Sequence, residues 1–383
     1  MSLTFLIFIL IVSIALYVVT KYYLIQNQYK KEKVEHFTQY ANSTPTEKLK
    51  TKYDLTIKYL NANDARNLFQ QSIQYLQNMN QANLAARKCQ TLSDLYDKYM
   101  GGGLQDISED EKSRVDEFML NLLDMLSVRR PAFARYVSYW LRRISFAKGQ
   151  IWLESGMPHT LGDTIIMDTN WFASPRETTL LHELTHIHQR DKFYDFEDLY
   201  FLLGYFYYPK LIKGMEPYYQ LNRNNPDGSS PFWLWHYPDS KTDEGVASRE
   251  DNTAVQVNSM VRGKIADDTN NSDYWWVGAV FKSAVPVDVT DVNYIAIRLN
   301  RGADGAYYLF QNNATPLTKF SQYNNYMGIN DNNYHPNETT AKYMEWYLQD
   351  ITTQSGYVNH AQYEGYKTFK KYIDEYLAIY FKT

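Results

Sequence analysis

Nine residues, His182-Glu183-Leu184-Thr185-His186-Ile187-His188-Gln189-Arg190, restrict the fold of this chain more than any other stretch of it. An α-helix turns about 100° and rises about 1.5 Å per residue, so residues four apart lie one above the other. His182 and His186 therefore share a helix face on which two imidazoles can hold one metal ion. Glu183 lies beside them, within reach of a water on that ion. His188 is about 200° around the helix from His186 and is not counted as a ligand. Such a helix must be built into a core, and the rest of the chain must bring further ligands to it.

The flanks favour a helix. Ser174-Pro175-Arg176-Glu177 reads as its start, with Ser174 as N-cap, Pro175 at the first helical position and Glu177 reaching back as a capping box. Leu180, Leu181, Leu184 and Ile187 supply apolar positions, and no Gly or Pro interrupts them. Three of the eight histidines fall within these few residues, which favours a site over histidines that merely pack.

The whole chain narrows the chemistry. Its 383 residues suffice for one large domain or two smaller ones. A net charge of -4 gives no bulk electrostatic case for nucleic-acid binding. The single cysteine, Cys89, excludes a disulfide framework and a cysteine zinc cluster, so a metal must be held by His and carboxylate.

The N-terminus carries a second signal. No residue from Ser2 to Thr20 is charged, and the run to Ile25, with Tyr17, Tyr22 and Tyr23 at its end, is long enough for a ~30 Å hydrocarbon core. A basic leader and a small-residue cleavage site are both missing, which disfavours a cleaved signal peptide. Residues 1–25 are therefore expected to be a transmembrane anchor in contact with the lipid bilayer. Lys21, Lys30, Lys31 and Lys33 follow the span and no basic residue precedes it, so the C-terminal body of a single-pass protein is expected to be cytoplasmic or virion-internal.

The fold class expected is α+β: this N-terminal transmembrane helix, a helical region over 26–145, then a domain over 146–383. Asp54 to Lys88 has apolar residues at helical spacing, Ser108-Glu109-Asp110-Glu111 opens another helix, and Pro131 a third. Gln150–Glu154 and Thr164–Asp168 read as strands of a small sheet, joined by a turn containing His159. Asn224-Asn225-Pro226-Asp227-Gly228 is a turn signal within a β-rich insertion spanning about 204–330. Strands are expected there at Trp275–Phe281, Val292–Leu299 and Ala306–Phe310, and helix returns from His335.

A catalytic zinc has three protein ligands and an open position for water. The metzincin pattern needs Gly at 189 and His at 192, where Gln189 and Lys192 stand, and an aspzincin-like GTxxD segment is absent downstream. A Glu from a later helix remains, with Glu197, Glu216, Glu244, Glu338 and Glu345 as candidates. Glu338 lies in Tyr334-His335-Pro336-Asn337-Glu338-Thr339-Thr340-Ala341, where Pro336 suits a first helical position and the string NExxA follows.

That string resembles the third-ligand helix of gluzincin metallopeptidases. Together with HExxHxxQR it also resembles the HPxE-type segment of zincin-like proteins of bacteria and large DNA viruses, over roughly residues 150–350. The resemblance implies a zincin-like domain in which His182, His186 and Glu338 bind zinc and Glu183 is the general base. The expected activity is that of a zinc metallopeptidase on a protein or peptide. It implies that the edge strand of the small sheet pairs with extended substrate. Negative charge on the tetrahedral oxygen needs a Tyr or His donor besides the zinc, and His236, His335 and Tyr343 are the candidates. Gluzincins often carry an acid four residues after the ligand Glu to orient a histidine; Lys342 stands here, with Glu345 on a similar face as a substitute. The alternative expectation is a non-catalytic, zinc-binding membrane or virion structural protein. Glu183 argues against that alternative, because a structural site needs no base.

Overall fold

The computed structural model describes residues 21, 43–71, 75–76, 79–227, 232–238, 273–310, 314–328, 334–352 and 360–382. Contacts divide the chain into two units, Met1–Thr56 and Ile57–Thr383. In the first, helix α1 (Pro45–Tyr53) starts at a capping box between Thr44 and Glu47. All other elements belong to the second.

The second unit begins with strand β1 (Lys58–Tyr59) and the short helices α2 (Ala62–Gln71), α3 (Gln81–Ala86) and α4 (Leu92–Lys98). Strand β2 (Leu104–Gln105) precedes the pair α5 (Glu109–Arg129) and α6 (Pro131–Leu141). The capping box of Ser108 with Glu111 and the N-terminal Pro131 start these two helices as expected. Val115, Met119, Leu122, Leu123 and Leu126 line the buried side of α5, the i, i+3, i+4 spacing of a core-facing stripe.

Three further strands complete the first sheet: β3 (Ser145–Gly149), β4 (His159–Leu161) and β5 (Thr164–Asp168). Its order is β1-β3-β5-β4, with β2 also paired to β3. β1, β3 and β5 run parallel, whereas β4 is antiparallel to β5 and has no other strand beside it among the described residues. Phe146, Ala147, Ile165, Ile166 and Met167 are all buried, as in a sheet covered on both faces. Two strands come from the region expected to be wholly helical, so the sheet crosses the boundary expected at residue 145. The strand expected at 150–154 is displaced to β3, and a 3-10 turn at Leu153–Gly156 takes its place, with Glu154 and Ser155 in left-handed backbone.

After β5 come helices α7 (Thr169–Ala173), α8 (Glu177–Asp191) and α9 (Phe193–Leu202). A second sheet follows, with helix α10 (Glu216–Leu221) between its first strands. Its strands are β6 (Tyr205–Tyr207), β7 (Trp233–His236), β8 (Tyr274–Phe281), β9 (Val292–Arg301), β10 (Tyr307–Leu309) and β11 (Thr315–Pro316). Neighbours are antiparallel in the order β10-β9-β8-β7-β6, with β11 on β9. This is the β-rich insertion expected from the sequence, and the aromatic excess supplies its core through Trp276, Tyr274 and Tyr307, with Leu234, Ile295 and Ile297. Helices α11 (Ser321–Met327), α12 (Pro336–Thr352) and α13 (Glu364–Tyr380) close the chain, with α12 packed against α8.

The membrane-spanning part of the expected architecture is corrected. Among the described residues no helix is long and apolar enough to cross a membrane. The longest, α5, has 21 residues and would reach ~30 Å, but it opens on Glu109, Asp110 and Glu111 and is apolar on one side only. The span expected over residues 1–25 lies outside the described residues apart from Lys21. The architecture is therefore α+β with two sheets, and the single-pass localisation and the bilayer partner are not retained.

Candidate metal centre

Helices α8 and α12 build the centre. On α8, Leu180, Leu181, Leu184 and Ile187 are buried as their spacing requires, and every residue from His182 to Gln189 is buried with them. The helix begins at Glu177, later than expected. Ser174 instead ends α7, whose N-cap is Asp168, and Arg176 precedes α8 without a side-chain cap. Short helices in tandem compete for the same capping residues, so local chemistry alone cannot assign Ser174 to one of them.

α12 carries Glu338 to the two histidines. His182 Nε2 lies 3.4 Å from Glu338 Oε2, and His186 Nε2 lies 3.9 Å from Glu338 Oε1. Ligand atoms about 2.0–2.1 Å from a tetrahedral zinc are about 3.3 Å apart, so small side-chain adjustments would close the set around one ion. Two buried atoms of the centre, His186 Nε2 and Glu183 Oε2, have no hydrogen-bond partner among the described residues. An orphaned imidazole nitrogen facing a carboxylate fits a cation. Among the described residues, two trios could hold a metal ion: His182, His186 and Glu338, and an overlapping one of Glu183, His186 and Asp227.

Outer contacts set both tautomers. Gln189 donates through Nε2 to Asn337 O at 2.9 Å and to Thr340 Oγ1 at 2.8 Å, so its Oε1 faces His186 Nδ1 at 2.9 Å. His186 must donate from Nδ1, which leaves Nε2 as a lone-pair donor to a metal. His182 Nδ1 donates likewise to Glu345 Oε1 at 2.8 Å, and Lys342 Nζ donates to Glu345 Oε2 at 2.8 Å. Glu345 thus makes the contact that an acid at position 342 would have made. Replacing Glu345 with Gln keeps the shape and removes the charge. Zinc affinity is expected to fall by about 10–100-fold, measured by competition with a chromophoric chelator; unchanged affinity would remove Glu345 from the centre.

The electrostatics suit a cation. Burial disfavours charge on His182, but hydrogen bonds to Glu338 and Glu345, with the nearby Glu183 charge, outweigh it and hold the imidazole well above its ordinary range. Burial keeps His186 below its own. Burial also opposes charge on Glu338, yet the His186 and His182 imidazoles bring its carboxyl down to about 2. Glu183 is pushed well up, first by burial and then by Asp227, with His182 opposing.

Residues from outside the two motifs also reach the centre. Asn225 Nδ2 donates to Glu338 Oε1 at 2.5 Å. Asp227 Oδ1 accepts from both Thr160 N–H and Thr160 Oγ1, each at 2.7 Å. Arg190, in the last turn of α8, donates to Thr160 Oγ1 at 2.6 Å and to Gly162 O at 2.9 Å. Sequence reasoning registers Asn225 and Asp227 only as part of a turn.

Two of the expected oxyanion donors are engaged elsewhere: Tyr343 donates to Met327 O at 2.7 Å within the core, and His236 Nδ1 bonds Tyr237 O. His335 Nδ1 accepts the Asn337 N–H that opens α12, which leaves its Nε2 as the donor nitrogen. His188 is buried between Tyr136 and Tyr376, and burial lowers its imidazole to about 3, so it is a neutral core residue. His159 is not in a turn but in edge strand β4, buried.

No protein-family model, curated protein or solved structure matches the chain.

Proposed function

We propose that this chain is a zinc-dependent hydrolase of the gluzincin type that cleaves peptide bonds. The observation that carries the reading is the convergence of His182 Nε2, His186 Nε2 and the Glu338 carboxylate from two helices, with the buried, unpartnered Glu183 Oε2 beside them. Zinc held by those three residues would polarise a carbonyl and lower the pKa of a bound water to about 7. Glu183 accepts the proton of the attacking water and returns it to the leaving amine. Glu345 and Gln189 hold the two imidazoles in the ligating tautomer throughout.

A zinc site with a purely structural role gives no reason to bury a carboxylate oxygen without a partner, which is costly. Glu183 Oε2 therefore favours the hydrolytic reading over the non-catalytic one. The test is cleavage of fluorescently labelled, unfolded casein, however slow. The expected result is cleavage abolished by a chelator and restored by one equivalent of zinc. Chelator-insensitive cleavage would contradict the proposal, and stoichiometric zinc without cleavage would favour the non-catalytic alternative.

A further inference from the structure

An extended peptide adds to a sheet by pairing its main chain with outward-facing groups of an edge strand. Here that strand is β4, whose only strand neighbour among the described residues is β5. Thr160 stands opposite Ile165 of β5, but its N–H goes to Asp227 Oδ1. It therefore points away from β5, to the side that carries no strand among the described residues and that is covered, Thr160 being fully buried; a peptide carbonyl would accept it there once that side opened. Asp227 Oδ1 already accepts there, and takes the Thr160 hydroxyl as well. Asp227, itself buried, also brings a carboxylate oxygen within 4.8 Å of a Glu183 oxygen and a His186 nitrogen. One side chain thus spans from the edge strand to the general base.

The segment leading to Asp227 is fastened along its length. Arg223 N–H donates to Ala279 O at 2.9 Å, Asn224 Nδ2 to Tyr75 O at 3.0 Å, and Arg87 Nη2 to Asn224 O at 3.1 Å. Asn225 holds Glu338. We propose that Asp227 is an internal blocker: its carboxylate fills the place of a substrate carbonyl on β4 beside Glu183, so the resting protein is latent. The proposal rests on the hydrolytic reading for its meaning, but its physical content is competition for one edge-strand donor. Apparent substrate affinity is then reduced by the fraction of molecules in which the side chain has withdrawn.

The test separates the two. In a Glu183→Gln background, which binds without cleaving, Asp227→Ala and Asp227→Ser are each titrated with fluorescein-labelled, unfolded casein by anisotropy. The titration is run without added metal and again with zinc, and zinc stoichiometry is measured on the same samples. We expect at least about tenfold tighter casein binding in both variants and both conditions. Unchanged or weaker binding overturns the blocker. Tighter binding without zinc uptake would uphold the blocker and remove the metal reading. Zinc uptake with unchanged binding would do the reverse.

Discussion

Replacing Glu183 with Gln is expected to slow zinc-dependent hydrolysis by about 10²–10⁴-fold, the usual contribution of a positioned general base. Glu183 is 4% exposed, and its Oε2 has no hydrogen-bond partner among the described residues. Burial and the neighbouring Asp227 carboxylate both push its pKa upward, the direction that makes a carboxylate a better base near neutral pH. Gln has the same shape but cannot take a proton. Because Glu183 lies beside the ligand trio and is not one of its members, zinc content should be unchanged. Casein cleavage and metal content measured on the same preparation check both halves. Loss of zinc in the variant would make Glu183 a ligand and contradict its role as base.

Arg87→Met is expected to cost about 3–5 kcal/mol of folding stability, the usual result of stranding one partner of a buried ion pair. Arg87 and Glu154 are 4% and 2% exposed, and they pair through Nη2–Oε2 at 2.6 Å and Nε–Oε1 at 2.8 Å. Tyr75 and Tyr99 donate to Glu154 Oε1, at 2.6 and 3.1 Å. Glu154 sits in left-handed backbone at φ 46°, a conformation that costs a side-chain-bearing residue about 1–3 kcal/mol and persists only when its surroundings enforce it. Without Arg87 only the two tyrosine hydroxyls are left to hold it. Because Arg87 also holds Asn224 O, the variant should loosen the Asn225 contact with Glu338.

The same pair sets an acid limit. Burial raises the Glu154 carboxyl, and the Arg87 charge and hydrogen bonds more than reverse this, bringing it from 4.5 to about 2. A carboxyl depressed in the folded state contributes stability above its unfolded pKa and loses it as pH falls through the folded one. The contribution, on the order of 3 kcal/mol, should therefore be complete above about pH 4.5 and lost on the way to pH 2. Urea denaturation of the wild type across that window should show the loss, and Arg87→Met should flatten it. An equally steep acid dependence in the variant would place the effect elsewhere.

The parts of the centre that were legible in the sequence are those set by helical spacing. His182 and His186 are four apart on one helix, and Glu338 and Glu345 are seven apart on another, so both pairs could be read as shared faces. The connection between the two helices rested on motif resemblance, and the structure brings them together. Asn225 and Asp227 were not legible as site residues, because a turn has no period and nothing local ties it to α8 or Thr160. Strands β1, β2 and β4 have only two or three residues each, too few for an alternating pattern. The long strands β8 and β9 are legible because eight and ten residues give room for a run rich in aromatic and β-branched side chains. Lys148 and Gly149 hid the end of β3, and the apolar Ile151-Trp152-Leu153 run beside it drew the expected strand onto a turn.

The central claim, that His182, His186 and Glu338 form one zinc site, is tested most directly by metal analysis of the purified protein beside its His186→Ala variant. His186 Nε2 is buried and has no hydrogen-bond partner among the described residues, so a metal is what it stands to gain. One zinc per chain in the wild type, lost from the variant while the fold persists by circular dichroism, is the predicted result. Zinc absent from the wild type after equilibration with the ion, or retained at full stoichiometry by His186→Ala, would contradict it.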